Sequence, residues 1–193
     1  MKLLFATSNT HKAEEIRSLL PKNIELLTLK DLQITDEIPE TENTLEGNSL
    51  LKAKFLFDKT GQACFAEDTG LEVEFLGGKP GVKTARFAGE KATHAENIAK
   101  LLTDLGVTKN RNARFKTVIT YYFEEKYVQF TGVCNGEIAP AIMGEKGFGY
   151  DPVFIPFGSR KSFAEMDLEE KNHYSHRQKA FNAFLAELKN LTK

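Results

Sequence analysis

Phe65-Ala66-Glu67-Asp68-Thr69-Gly70-Leu71 is the stretch on which the reading of this chain turns. An apolar run, Ala63 to Ala66, ends in two adjacent carboxylates, a hydroxyl and a glycine. The pattern predicts a buried strand that stops at Glu67 and holds charge at its end. Neighbouring carboxylates repel, so a shared proton or a divalent cation is the usual reason to keep both. The bland alternative is a solvated strand end followed by a turn at the glycine.

Working outward from that stretch, elements alternate along the chain. Lys2 to Thr7 predicts a buried strand, Ser8-Asn9-Thr10-His11 a polar turn, and Lys12 to Leu20 a helix with Ala13, Ile16 and Leu20 on one face. Such βα turns present free backbone N–H groups to anions. Lys12 falls in the first helical turn, where its charge opposes the helix dipole unless an anion is bound there. Glu25 to Leu29 predicts a second strand. An acidic loop follows, with Asp36, Glu37, Glu40 and Glu42 around Pro39. Asn43 and Glu46 have capping-box spacing for a helix from Thr44 to Thr60, on which Asn48 and Lys52 share a polar face.

Beyond the acidic pair, Glu72 to Phe75 alternates like a separate half-exposed strand, and Leu76 to Gly81 is rich in helix and strand breakers. Thr93-His94-Ala95-Glu96 is a capping box opening a helix to Leu105, with His94 an exposed first-turn residue that has little to recommend it as a ligand. Phe115 to Phe123 and Lys126 to Asn135 predict a hairpin turning at Glu124-Glu125, and Gly136 to Ile142 another strand. Gly147-Phe148-Gly149-Tyr150-Asp151 displays aromatic rings between glycines, a pattern suited to stacking a flat ligand. Pro152 to Pro156 predicts a last short strand. A final helix starts at Ser175, with Phe181, Phe184, Leu185 and Leu188 inward. Lys171 precedes that helix, and His176 and Arg177 open it, so a second helix start carries positive charge.

Composition bounds the possibilities. At 193 residues, 41% hydrophobic and 27% charged, the chain suits one globular domain with its own core. A net charge of −1 argues against non-specific nucleic-acid binding. Cys64 and Cys134 sit in apolar runs and read as buried reduced thiols. The N-terminus turns polar too soon for a signal peptide and no apolar run reaches membrane-spanning length, so a cytoplasmic protein is expected.

Carboxylates for a hard cation, lysines for phosphates and rings for a base together suit a magnesium-bound nucleoside triphosphate. Neither Gly-x-x-x-x-Gly-Lys-Ser/Thr nor Gly-x-Gly-x-x-Gly after the first strand is present, which excludes the P-loop and dinucleotide fingerprints. In order along the chain stand Ala6-Thr7-Ser8-Asn9-x-x-Lys12, Glu67-Asp68-Thr69-Gly70-Leu71, Gly77-Gly78-x-Pro80-Gly81, Ala85-Arg86-Phe87, Gly147-Phe148-Gly149-Tyr150-Asp151-Pro152 and Ser175-His176-Arg177. That series resembles the inosine triphosphate pyrophosphatase family, which hydrolyses ITP, dITP and XTP to monophosphates.

The resemblance implies an α/β fold: an elongated, curved mixed β-sheet flanked by helices, with two lobes, the active site in the cleft between them, and a homodimer. It implies that Thr7, Ser8, Asn9, Thr10, His11 and Lys12 hold the triphosphate and that Asp68 is the general base. Lys52 reaches the phosphates, and Glu40, with Glu67 or Asp68, holds Mg2+. Thr69 touches substrate, Phe148, Gly149, Tyr150 and Asp151 frame the base, and Lys171, His176 and Arg177 close over it. Many bacterial relatives carry two aspartates where this chain has Glu67-Asp68. Arg177 can only donate hydrogen bonds, which suits the O6 acceptor of hypoxanthine or xanthine and not the adenine amine. Two alternatives stay open: a related house-cleaning pyrophosphatase for pyrimidine or modified nucleotides, and a catalytically inactive nucleotide-binding regulator.

Overall fold

A computed structural model describes residues 1–36, 38 and 40–191, with the backbone alone for 189–191. Glu37 and Pro39 of the expected acidic loop lie outside the described residues. The fold is α/β, with a mixed sheet of seven strands in the order β2-β1-β3-β5-β6-β7 and β4 beside β3. These are β1 (Lys2–Phe5), β2 (Glu25–Thr28), β3 (Cys64–Val73), β4 (Pro80–Gly81), β5 (Asn112–Phe123), β6 (Lys126–Ile138) and β7 (Phe154–Pro156). The helices are α1 (Thr10–Leu19), α2 (Leu45–Thr60), α3 (His94–Leu105), α4 (Leu168–Tyr174) and α5 (His176–Leu191). None of the described helices is long and apolar enough to cross a membrane. The chain divides into two compact units.

The first unit comprises residues 1–68, 117–132 and 177–193. Within it β1 pairs in parallel with β2 on one side and with β3 on the other, Phe5 opposite Phe65. Successive strand residues face opposite ways, and β3 buries both of its faces. Phe65 packs with Phe5, Ile16, Phe181 and Phe184, so α1 and α5 cover that side. Cys64 and Ala66 pack instead with Leu4, Ala53 and Leu56, so α2 covers the other. Phe5 and Phe65 stack face to face, their ring centroids 4.3 Å apart.

The second unit comprises residues 69–116 and 133–176. Here β4 adds antiparallel to β3, and β7 adds antiparallel to β6. Its core gathers Leu71 and Val73 from β3, Ile98, Leu101 and Leu105 from α3, and Phe115, Cys134, Phe154 and Phe163. Ile98, Leu101 and Leu105 of α3 are buried, and the expected Thr93–Glu96 capping box forms at its start. Both cysteines are buried and neither forms a disulfide among the described residues, as expected.

Several expected boundaries move. The acidic pair does not end its strand: β3 runs unbroken from Cys64 to Val73, and Glu74–Leu76 is a 3-10 turn rather than part of a strand. Gly136 to Ile138 belongs to β6 and the expected extra strand does not form, because the hairpin strand simply continues. The hairpin itself turns at Glu124 and Glu125, both with positive φ (49° and 58°), as a two-residue turn requires. Thr44, not Asn43, caps α2, its hydroxyl accepting from the Gly47 amide. The final strand starts at Phe154, and α4, unforeseen, precedes α5.

Gly136 shows how tightly β6 and β7 meet. A Cβ there would run into the Ile155 carbonyl oxygen and stand 2.7 Å from Phe154 Cζ. Gly136→Ala is expected to lower stability by about 1–3 kcal/mol, the usual cost of overpacking. Urea denaturation measures it, and an unchanged midpoint would contradict this packing.

Candidate active site

The pleat of β3 decides the local chemistry. Glu67 follows Phe65 onto the face covered by α1 and α5, while Asp68 follows Ala66 onto the face covered by α2. Two carboxylates adjacent in sequence therefore meet different cations.

On the first face, Arg177 of α5 grips Glu67 with both arms, Nε to Oε2 at 2.8 Å and Nη2 to Oε1 at 2.7 Å. Its remaining Nη1 donates to Glu15 of α1. Lys12, one turn before Glu15, reaches Glu67 Oε1 at 3.2 Å. Arg177, Glu67 and Glu15 are all buried. Burial pushes the Glu67 carboxyl up, but Arg177 and Lys12 outweigh it and hold the group well below the ordinary glutamate range. Burial likewise works against the Arg177 charge, and Glu67 and Glu15 overcome it, so the guanidinium stays protonated.

On the second face, Lys52 of α2 donates to Asp68 Oδ1 at 2.7 Å and to Glu40 Oε1 at 2.9 Å. Two neighbours on α2 hold this arrangement. Ser49 donates to the Ala66 carbonyl at 3.2 Å, tying the helix to β3. Asn48 accepts from the Glu42 amide and donates to the Glu42 carbonyl, pinning the acidic loop against the helix. Burial raises the Asp68 carboxyl above its ordinary value; Lys52 and Lys12 oppose the shift, and Glu40 adds to it. Lys52, facing two carboxylates against its own burial, is held above the ordinary lysine value.

The turn before α1 is built on Asn9, whose side-chain oxygen caps the helix by accepting from the Lys12 amide at 3.1 Å. The Asn9 amide in turn donates to Thr7 Oγ1 at 3.1 Å. Thr7 is buried, whereas Ser8, Thr10 and His11 are exposed.

The second unit holds the other expected residues. Asp151 organises the glycine loop: its Oδ2 accepts from the Phe148 amide at 2.9 Å and from Lys171 Nζ at 2.6 Å. Gly147 and Gly149 both adopt positive φ, and a Cβ at Gly147 would strike the Asp151 carboxylate. The Lys171 ammonium lies 5.2 Å from the Phe148 ring centroid and 5.4 Å from that of Phe163. Thr69 is half-buried on β3.

Four expectations need correcting on geometry. Glu67 does not join Glu40 and Asp68: among the described residues no three His, Cys, Asp or Glu side chains gather as a metal centre, because the strand sends Glu67 to the other face. Arg177 presents its donors to Glu67 and Glu15 rather than to open space. Tyr150 is not on display; its ring is buried and its hydroxyl donates to the Thr84 carbonyl at 3.0 Å. His176 is buried too, stacked on Phe115 at 4.7 Å. Glu15, Ser49 and Thr84 escaped the sequence reading. Only Glu15 left a trace, a carboxylate three residues after Lys12.

Residues 3–187 match the model of the Ham1 family. The chain belongs to the Ham1 family. Among its Ham1 relatives, a protein of Flavobacterium psychrophilum named dITP/XTP pyrophosphatase is 50% identical over 190 residues, covering 98% of this chain and 100% of the relative. One of the same name from Caldanaerobacter subterraneus is 49% identical, covering 93% and 92%. The solved Staphylococcus aureus Ham1 protein superposes with a TM-score of 0.89 at 34% identity, covering 98% of this chain and 99% of that one.

The buried ion network makes a stability prediction. Glu67→Gln is expected to cost about 3–5 kcal/mol at neutral pH, since it leaves Arg177 without its main counter-charge. The native carboxyl titrates below its unfolded value, so its contribution is complete above about pH 4.3 and fades as pH falls toward the folded value. Denaturation of both proteins across pH measures the gap, which should narrow on acidification. A gap below about 1 kcal/mol at pH 7 is the size of an exposed pair and would contradict the buried network.

Proposed function

We propose that this Ham1-family chain is a nucleoside triphosphate pyrophosphatase that hydrolyses dITP, ITP and XTP to the monophosphate and pyrophosphate. The single observation that carries the reading is its half-identity, over essentially full length, to relatives named for that activity. The chemistry of the first unit supports it.

Asp68 is assigned as general base. Lys52 occupies its Oδ1, so the attacking water is assigned to Oδ2. A carboxyl held above its ordinary value lies nearer the working pH, which is what proton abstraction requires. Attack at the α-phosphorus loads charge onto the departing pyrophosphate oxygens. Lys12 and Lys52, with the amides of the Thr7–His11 turn, are assigned to hold that charge. The Phe148–Asp151 loop, Lys171 and Thr69 are assigned to the purine; His176, buried against Phe115, would have to leave that stack to reach it. Arg177 serves first as the counter-charge of Glu67, and reading O6 would require its guanidinium to exchange a carboxylate for the base.

Magnesium belongs to the same proposal. Glu40 and Asp68 already converge their oxygens on one cation, the Lys52 ammonium, and hard carboxylate oxygens fit Mg2+. They would hold it; when bound, it supplies Lewis-acid neutralisation of the phosphate oxygens. Glu67, with both oxygens engaged by Arg177, fits this role poorly. A homodimer, resting on the family resemblance, and a cytoplasmic location complete the proposal.

A panel of dITP, XTP, dGTP and dATP, assayed with and without magnesium for both phosphate products, tests the reading. Pyrophosphate release from dITP and XTP is expected; orthophosphate alone would sink it. Asp68→Asn should lower kcat/KM for dITP by about 10²–10⁴-fold, and an unaffected variant would remove Asp68 from the role of base.

A further inference from the structure

The glycine loop of the second unit is tied down from three directions. Asp151 closes it from within, through the Phe148 amide. Tyr150 is anchored by its hydroxyl to Thr84. The third tie comes from α3: the Gly149 amide donates to His94 Nδ1 at 3.3 Å, across 55 residues of chain. The first two ties rest on buried side chains, whereas His94 is exposed. The His94 ring also lies 6.4 Å from that of Phe148, tilted by 45°.

The contact fits its surroundings. His94 is the first helical residue of α3, and Thr93 and Glu96 fix the helix start by the capping box. His94 is thereby carried on a rigid element rather than on a second loop. Gly149 has φ of 61°, a left-handed backbone that favours glycine, and its N–H donates to His94 across the gap between loop and helix. The acceptor is the ring nitrogen Nδ1, which can accept only when it carries no proton.

We propose that His94 is a positioning residue of the purine loop: by accepting from the Gly149 amide it holds the loop tip, and with it the Phe148 ring, in the geometry that receives the base. This rests on the assignment of the Phe148–Asp151 loop to the purine. His94 acts through Gly149 and need not touch the substrate. Its loss loosens a preformed platform, so binding suffers more than the chemical step at Asp68.

The test pairs two readouts on the full-length protein. One is hydrogen–deuterium exchange of the loop amides without substrate. The other is steady-state hydrolysis of dITP, comparing the native protein with His94→Ala and His94→Asn. An asparagine side-chain oxygen can fall near the Nδ1 position and accept the same amide. Loss of one exposed hydrogen bond corresponds to about a 2- to 10-fold effect. His94→Ala is therefore expected to speed exchange at Gly149 and raise KM for dITP by about that factor, with a smaller change in kcat; His94→Asn should restore both. Unchanged exchange in His94→Ala overturns the tether whatever the enzyme hydrolyses. Faster exchange with unchanged KM overturns the positioning role. Failure of the native protein to hydrolyse dITP would count against the proposed function, while the exchange data still decide the tether.

Discussion

A buried glutamate held by an arginine in the middle of a strand is the constraint on which the rest of this structure depends. Removing Glu67 and Arg177 from water is expensive, and a buried ion pair is no guarantee of net stability. What the pair secures is arrangement. The bidentate grip fixes where α5 begins relative to β3, and Nη1 on Glu15 fixes α1 against both. Because Glu67 is neutralised within the protein, β3 can continue through its acidic residues to Val73 instead of fraying into solvent.

The same pleat separates the work of the two carboxylates. Coulomb repulsion between neighbours would normally force one to take up a proton. Here each is given its own cation on its own face: Glu67 meets a guanidinium and Lys12, Asp68 meets Lys52. The environments push the two groups in opposite directions, one locked in its charged form and one raised toward the working pH. Pairs of titratable groups pushed apart in this way are how a fold assigns distinct roles to similar side chains.

Much of this was legible in the sequence, and the failures share a cause. The buried strand β1, the Glu124-Glu125 hairpin and the Thr93–Glu96 capping box depend on local pattern and were read correctly. So was the motif series, which identified the family. The expectation that β3 stops at Glu67 fails because the deciding partner, Arg177, lies 110 residues away. The glycines around Tyr150 suggest display, but its anchor, Thr84, lies 66 residues away. The α4 helix has an Asp167 cap and two early glutamates, but seven residues are too few to show an apolar period. Polar side chains were found by type and misplaced by environment, since environment is set by contacts that span the chain.

Adjacent carboxylates on one strand are tuned apart by the two faces of the sheet. Carbon-detected NMR titration of the side-chain carboxyls of Glu67 and Asp68 tests it most directly. Asp68 is predicted to titrate above the ordinary aspartate value of about 3.9 and Glu67 below the ordinary glutamate value of about 4.3. Two ordinary titrations, or the opposite order of shifts, would contradict it.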